Sequence, residues 1–155
     1  MRSHGPGAAQ LGRLLVAAIY LTGSVTHLLV ATLQPRLYRE FGEWAPITAS
    51  FLRDFWTSTV VANATAFGLL VAAGELSIGI LVLAGGRRTR LGLTGAIAFH
   101  LILAGYFGLW IYAVPAAIGL AVLMRYDFEN AFARLPRPKP KAIETVDPDR
   151  QRRAA

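Results

Sequence analysis

The chain has 155 residues, with 16 lysines and arginines, 9 aspartates and glutamates, 3 histidines and no cysteine. Hydrophobic residues make up 54% and charged residues 16%, yet the net charge is +7, whereas an ordinary soluble domain is ~25% charged. This composition excludes general intrinsic disorder, disulfides and Cys-ligated metals within the chain, and the basic-aromatic pattern of a nucleic-acid-binding module.

Long uncharged apolar stretches predict membrane-spanning helices, because ~18 or more such residues can cross a bilayer. The run from Leu91 to Met124 is too long for one span, so we expect a hairpin with its break between Gly105 and Pro115. Pro115 is then expected in the first turn of the last helix. The predicted spans are about 11–33, 57–84, 91–107 and 113–125. The fold predicted for residues 11–125 is therefore an all-α, four-helix transmembrane bundle.

The connection between the first two spans, residues 34–56, is rich in aromatic residues. Its apolar residues recur at spacings of three and four, as on one face of a helix; they include Leu37, Phe41, Trp44, Phe51 and Phe55. We predict an amphipathic outer segment. Two interpretations stay open: a short helix that lies on the bilayer or caps the bundle, and a lid over an outward-facing cavity.

The basic residues predict the orientation in the membrane. Arginines flank the N-terminal segment 1–10 and fill the connection between the second and third spans (Arg87, Arg88 and Arg90). The tail, 126–155, carries eight basic and five acidic residues and alternates proline with basic residues, which predicts a largely disordered cytoplasmic segment. Both termini are therefore expected in the cytoplasm, with the chain as a multi-pass protein of the cytoplasmic membrane.

Ionisable residues inside the predicted spans are candidate functional groups, because burying them in a membrane is costly. Glu75, His100 and His27 are candidates for proton exchange or contact with a ligand, and Asn63 and Tyr20 are further candidates for ligand binding. Similar depth predicts a Glu75–His100 pair and a second polar level with His27 and Asn63. The alternative is that these groups only fix helix packing. The depth difference disfavours one shared metal centre, and no metal site is predicted.

Small residues accompany these groups at helical spacing. A stripe of small residues lets membrane helices approach closely, so we expect the ionisable side chains to face the bundle interior. The stripes are Ala64, Gly68, Ala72 and Gly79 in the second span, and Gly92, Ala96, Ala104 and Gly108 in the third.

The segment 74–90 resembles the DoxX family of four-helix membrane proteins. The residues that carry the resemblance are Glu75, Leu76, Gly79, Leu81, Gly85, Thr89 and Arg90. The segment from Gly23 to His27, followed by an aromatic loop with Tyr38 and Phe41, resembles the first part of DoxX-like members. The resemblance covers residues 11–125 and implies a four-helix bundle in the cytoplasmic membrane of a prokaryote.

The resemblance also directs the functional hypotheses, because the family includes the small membrane subunit of a thiosulfate:quinone oxidoreductase and proteins associated with redox-stress partners. It implies a quinone-facing component of an oxidoreductase assembly, with quinone as the ligand, no covalent cofactor, and protein partners besides the lipid bilayer. Two alternatives remain: a non-enzymatic accessory or anchor subunit of a larger membrane complex, and a small lipid-binding or transport protein.

Overall fold

The computed structural model of the chain describes residues 7–44, 47 and 49–128. This part of the chain is all-helical, as predicted, with six α-helices and one π-helical turn. The α-helices are α1 (Gly7–Leu33), α2 (Leu37–Trp44), α3 (Ser50–Phe55), α4 (Ala64–Ala84), α5 (Gly86–Phe107) and α6 (Trp110–Leu123), and the π-helical turn, Trp56–Val61, directly follows α3.

Three of these helices, α1, α4 and α5, are long and apolar enough to cross a membrane. Their outward faces carry large apolar side chains such as Leu15, Leu70 and Ile102, which are more than half exposed. Helices whose apolar side chains cover the outside are typical of membrane proteins. The fourth apolar helix, α6, has 14 residues and a length of about 21 Å, short of a ~30 Å hydrocarbon core.

The long helices pack side by side. Helix α4 lies between α1 and α5, and α6 packs against α5. The N-terminal part of α1 meets the C-terminal end of α6, since a Cβ on Gly12 would stand 3.2 Å from Leu123 Cδ2. Most of the predicted small-residue stripes face inward: Gly68, Ala72 and Gly79 of α4, and Gly92, Ala96 and Ala104 of α5, are buried. Ala64 is half-buried, and Gly108, which follows the end of α5, is exposed.

A single residue joins α4 to α5. Gly85 has φ 85° and ψ 166°, a backbone conformation that favours glycine. The Thr89 hydroxyl donates to the Val82 carbonyl oxygen (2.9 Å) and accepts from the Gly85 N–H (3.0 Å), and Thr89 is fully buried. The turn therefore satisfies its own polar groups and holds α4 and α5 antiparallel.

Two of the first residues of the tail, Asp127 and Phe128, contact this turn and the residues next to it. The Gly86 N–H donates to the Phe128 carbonyl oxygen (2.8 Å), Arg90 forms an ion pair with Asp127, and the Arg13 guanidinium lies 5.2 Å from the centre of the Phe128 ring. The end of α6 thus returns to the level of the α4–α5 turn. The disorder predicted for the tail concerns mainly residues 129–155, which lie outside the described residues, as do residues 1–6 of the N-terminal flank.

Two sequence-based expectations about helix geometry are wrong. Pro115 lies inside α6, which begins at Trp110, rather than in its first turn; the left-handed Gly108 (φ 68°) ends α5 early enough for α6 to begin five residues before the proline. The segment 57–84 is also not one helix. Asn63 (φ −123°, ψ 36°) interrupts it, and α4 begins at Ala64.

Candidate functional site

A cavity of about 620 Å³ lies between α1, α4 and α5, beneath α2, α3 and the π-helical turn. We call these last three elements the roof. The cavity wall is almost entirely apolar, and its aromatic members are Tyr38, Phe41, Trp56, Phe67, Tyr106 and Phe107 among others. Cavities of this size and character are typical of sites for small organic molecules.

The roof is held in place by buried side chains. Trp56 is 6% exposed, and its indole N–H donates to the Tyr38 carbonyl oxygen at 3.1 Å. Because Trp56 points inward, Leu52 one turn earlier does so too, whereas Phe51 and Phe55 are 69% and 47% exposed. The apolar residues Phe51 and Phe55, four residues apart, therefore share an exposed face of α3. The Tyr106 hydroxyl donates to the Leu52 carbonyl oxygen and ties the roof to α5.

Glu75 of α4 supplies a carboxyl group to the cavity. The residue is only 7% exposed, and its Oε2 has no hydrogen-bond partner among the described residues. Gly23 of α1 makes room for this group, because a Cβ at that position would stand 2.8 Å from Oε1 and 2.9 Å from Oε2. A buried carboxyl oxygen without a partner is costly unless a ligand or water satisfies it.

His27 contributes a second polar group to the cavity. Its Nδ1 lies 2.9 Å from the Tyr38 hydroxyl, and the two rings are stacked with centroids 6.1 Å apart. Burial, and then the negative charge of Glu75, raise the pKa of the Tyr38 hydroxyl. Tyr38 therefore keeps its proton and can donate it to His27.

The expected Glu75–His100 pair is not formed among the described residues. His100 Nδ1 lies 3.1 Å from the Tyr20 hydroxyl and 2.9 Å from the Ala96 carbonyl oxygen. Tyr20, which is 3% exposed, reaches from α1 to α5 and takes the position beside His100. Tyr20, rather than Glu75, is thus the described side-chain partner of His100.

Asn63 lies outside the cavity. It is exposed, and its Nδ2 donates to the carbonyl oxygen of Thr59 (2.9 Å) in the preceding turn. The expected polar level of His27 and Asn63 is therefore wrong, because the break in the helix at Asn63 turns that side chain back towards its own backbone. Tyr38, from the roof, is the partner that His27 has instead.

Sequence reasoning missed three contributors to the site. Phe67 of α4 and Phe107 of α5 line the cavity beside Trp56, with ring centroids 6.1 Å and 5.4 Å from its ring. Their signal in the sequence is their position: each occurs near the end of a span that adjoins the aromatic connection. Gly23 was singled out only as part of a motif, although the small residue is what accommodates Glu75.

Comparisons with known proteins provide no further guide: no protein-family model, curated protein or solved structure matches the chain.

Proposed function

We propose that this chain is an integral membrane protein that binds a quinone in the cavity beneath the roof, as the quinone-facing component of a membrane-associated oxidoreductase assembly. The observation that carries the proposal is the buried Oε2 of Glu75, which has no hydrogen-bond partner in the described part of the chain and faces an aromatic cavity. A quinone offers carbonyl oxygens, a flat ring and an apolar tail, and each has a counterpart in that cavity.

The residues present fit such a molecule. A protonated Glu75 carboxyl would donate to a quinone carbonyl, which satisfies a polar group that is otherwise unpaired. The rings of Phe67 and Trp56 offer stacking surfaces, which suit a flat ring. Ile102 lines the cavity and is also exposed on the outside of the bundle. At such positions an isoprenoid tail would extend from the cavity into the lipid. The bound quinone would accept electrons, and the chain's own part would be to orient it and to exchange protons through Glu75.

Electrons would have to come from a partner. The sequence contains no cysteine, so the sulfur chemistry implied by the DoxX-like segment 74–90 would belong to another subunit. Within the described residues, several members of that segment have clear structural uses, which supports the proposed kinship: Glu75 faces the cavity, Gly79 lets α4 approach Leu21 of α1, and Thr89 closes the α4–α5 turn.

We further propose that α6 crosses the membrane as a fourth span, with both termini in the cytoplasm of a prokaryotic cell. The support is the contact of Phe128 and Asp127 with the α4–α5 turn, which brings the end of α6 to the side where α5 begins. The arginines of that turn, Arg87 and Arg88, are exposed, and basic residues favour the cytoplasmic side.

The direct test of the function is the affinity for a short-chain quinone such as decylubiquinone, measured by titration calorimetry on purified protein in detergent. Glu75→Leu, which keeps the volume and removes the donor, is expected to weaken binding at least tenfold, about 1.4 kcal/mol. Glu40→Leu, the same exchange at an exposed position of α2, is the matched control. Equal affinity in both variants contradicts quinone binding through Glu75.

A second measurement separates the assembly from the alternatives. Native purification in mild detergent, followed by mass spectrometry, is expected to recover a redox protein together with the chain. A co-purified complex that holds no redox subunit favours the accessory or anchor role, and a stable monomer that carries lipid favours lipid binding.

A further inference from the structure

The ionised form of Glu75 has no counter-ion in the cavity. Among the lining residues that the structure describes there is no lysine or arginine. The described titratable groups that line the cavity with Glu75 are His27 of α1, Tyr38 of the roof and Tyr106 of α5, while Tyr20 of α1 and His100 of α5 contact each other. His27 and His100 each contact a tyrosine hydroxyl, at 2.9 Å and 3.1 Å. Glu75 is therefore the one acidic residue among the described lining residues, and no lysine or arginine there opposes its ionised form.

The walls around this charge are aromatic. Phe67 stands edge to face with Tyr38 at 88° and with Trp56 at 72°, both at centroid distances of 6.1 Å. Because these ring planes are steeply inclined to one another, the cluster presents its electron-rich ring faces in several directions. A cation within about 6 Å of such a face is attracted to it, and the attraction grows when water is excluded.

We propose that the cavity is also a binding site for lipophilic organic monocations, in which Glu75 is the counter-ion and the aromatic residues of the roof and of α4 hold the cationic group. This inference goes beyond the proposed quinone site and does not depend on it. A neutral carboxyl suits a quinone carbonyl, whereas a carboxylate suits a cation. The two ligands therefore compete for one cavity through the two protonation states of one residue.

The cavity also restricts which cations fit. A second positive charge would find no second acidic group among the described lining residues. A small metal ion would lose its hydration shell in this cavity, and an apolar wall offers no oxygen ligands to replace it. A quaternary ammonium or a protonated tertiary amine with an aromatic substituent is weakly hydrated and loses less on entry. A volume of about 620 Å³ accommodates such a molecule.

Binding of the cation is an exchange for a proton. The neutral carboxylic acid and the free cation become a carboxylate–cation pair and one released proton, so that charge within the cavity stays balanced and no electron moves. Linkage then fixes the direction of the pH dependence: affinity for the cation rises with pH until Glu75 is ionised in the free protein, and is constant above that pH. Quinone affinity through the neutral acid changes in the opposite direction.

The test compares two ligands of one shape. Benzyltrimethylammonium carries a positive charge, and neopentylbenzene is its neutral isostere. Titration calorimetry on the full chain in detergent, at pH 5.5 and pH 8.5, is expected to give at least tenfold tighter binding of the cation at the higher pH and no pH effect on the isostere. At the lower pH, titrations in two buffers of different ionisation enthalpy are expected to show up to one proton released per cation.

Three variants complete the design. Glu75→Gln, which keeps the shape and a hydrogen-bond donor but loses the charge, is expected to weaken cation binding at least tenfold. Glu75→Asp keeps the charge and is expected to bind the cation within a fewfold of the unaltered chain. Glu40→Gln, the same exchange on the exposed face of α2, is expected to change nothing.

The outcomes are distinct from those that test the quinone site. Equal affinity for the cation and its isostere in the unaltered chain, or unchanged cation binding in Glu75→Gln, overturns the cation site whatever decylubiquinone does. If the unaltered chain binds the cation but does not bind decylubiquinone, only the quinone proposal is overturned. If Glu75→Gln fails to fold, the comparison of ligands at the two pH values in the unaltered chain still decides.

Discussion

The carboxyl group of Glu75 and the missing side chain of Gly23 are complementary. At the residue scale the site depends on this fit, because a methyl group at position 23 would stand within 2.9 Å of both carboxylate oxygens. The carboxyl is the far end of a flexible side chain, so it can swing aside. This displacement would remove the polar group from its place in the cavity but would leave the packing of α1 against α4 intact.

Gly23→Ala is accordingly expected to weaken decylubiquinone binding roughly five- to tenfold, about 1 to 1.4 kcal/mol. Thermal stability should change little, because alanine in a helix gains about 1 kcal/mol over glycine and offsets the local crowding. Gly74→Ala is the matched control, since nothing lies within 4 Å of a Cβ at that position. Calorimetric affinity and melting temperature in detergent measure both effects; unchanged affinity in Gly23→Ala would show that the carboxyl position is unimportant.

The Thr89 hydroxyl is the second residue whose role is specific, because it satisfies two backbone groups at the α4–α5 turn. Thr89→Val keeps the shape and leaves the buried Val82 carbonyl and Gly85 N–H without that partner. We expect a loss of about 1–3 kcal/mol of stability, seen as a lower melting temperature in detergent. Thr94→Val, at an exposed position of α5, serves as the reference, and equal melting temperatures would disprove the role.

At the scale of elements, the roof covers one side of the cavity. Helices α2 and α3 are too short to be stable alone and are held by the Trp56 and Tyr106 hydrogen bonds and by aromatic packing. These contacts place the roof over the cavity, an arrangement that suits either a cap of the bundle or a lid. We expect a ligand that enters from this side to be slowed by them.

Tyr106→Phe removes the hydroxyl that ties the roof to α5 and keeps the ring in the cavity wall. Since one hydrogen bond contributes about 1 kcal/mol net, the dissociation rate of decylubiquinone is expected to rise about fivefold, measured by stopped-flow displacement. Tyr112→Phe, at a tyrosine that is 74% exposed, is expected to leave the rate unchanged. An unchanged rate in Tyr106→Phe would mean that the roof does not control access.

At the scale of the whole molecule, the open question is whether three or four helices cross the membrane. The absence of cysteine from the sequence makes single-cysteine labelling direct. Ser58→Cys in the π-helical turn, Arg88→Cys at the α4–α5 turn and Arg125→Cys after α6 all replace exposed residues.

With four spans and both termini inside, an impermeant maleimide added to intact cells should label Ser58→Cys alone, because Arg88 and Arg125 lie together on the cytoplasmic side. Labelling of Arg125→Cys in intact cells would place the end of α6 outside and reduce the number of crossings to three. Permeabilised cells, in which all three variants should react, are the control.

Periodicity in the sequence predicted which helix faces turn inward, and the burial of Ala72, Glu75 and Gly79 in α4 confirms that prediction. It could not predict partners across helices. Tyr20 rather than Glu75 meets His100 because the contact depends on how α1 is rotated relative to α5. The spacing of residues within one helix gives no information about that rotation. The cavity was unpredictable for the same reason: it is a space between elements, enclosed by Phe67, Trp56 and Phe107 from three separate segments.

The π-helical turn at Trp56–Val61 has a consequence for how insertions and deletions would act. In an uninterrupted α-helix, each fourth residue advances by about 40°, so Val60 would point about 80° away from Leu52. The wider turn, with its i to i+5 hydrogen bonds, takes back part of this rotation and lets Leu52, Trp56 and Val60 face the bundle together. Removing one residue between Thr57 and Thr59 would restore the narrower turn and swing the indole out of the cavity wall. The cavity thus depends on the number of residues in this turn as well as on their identity.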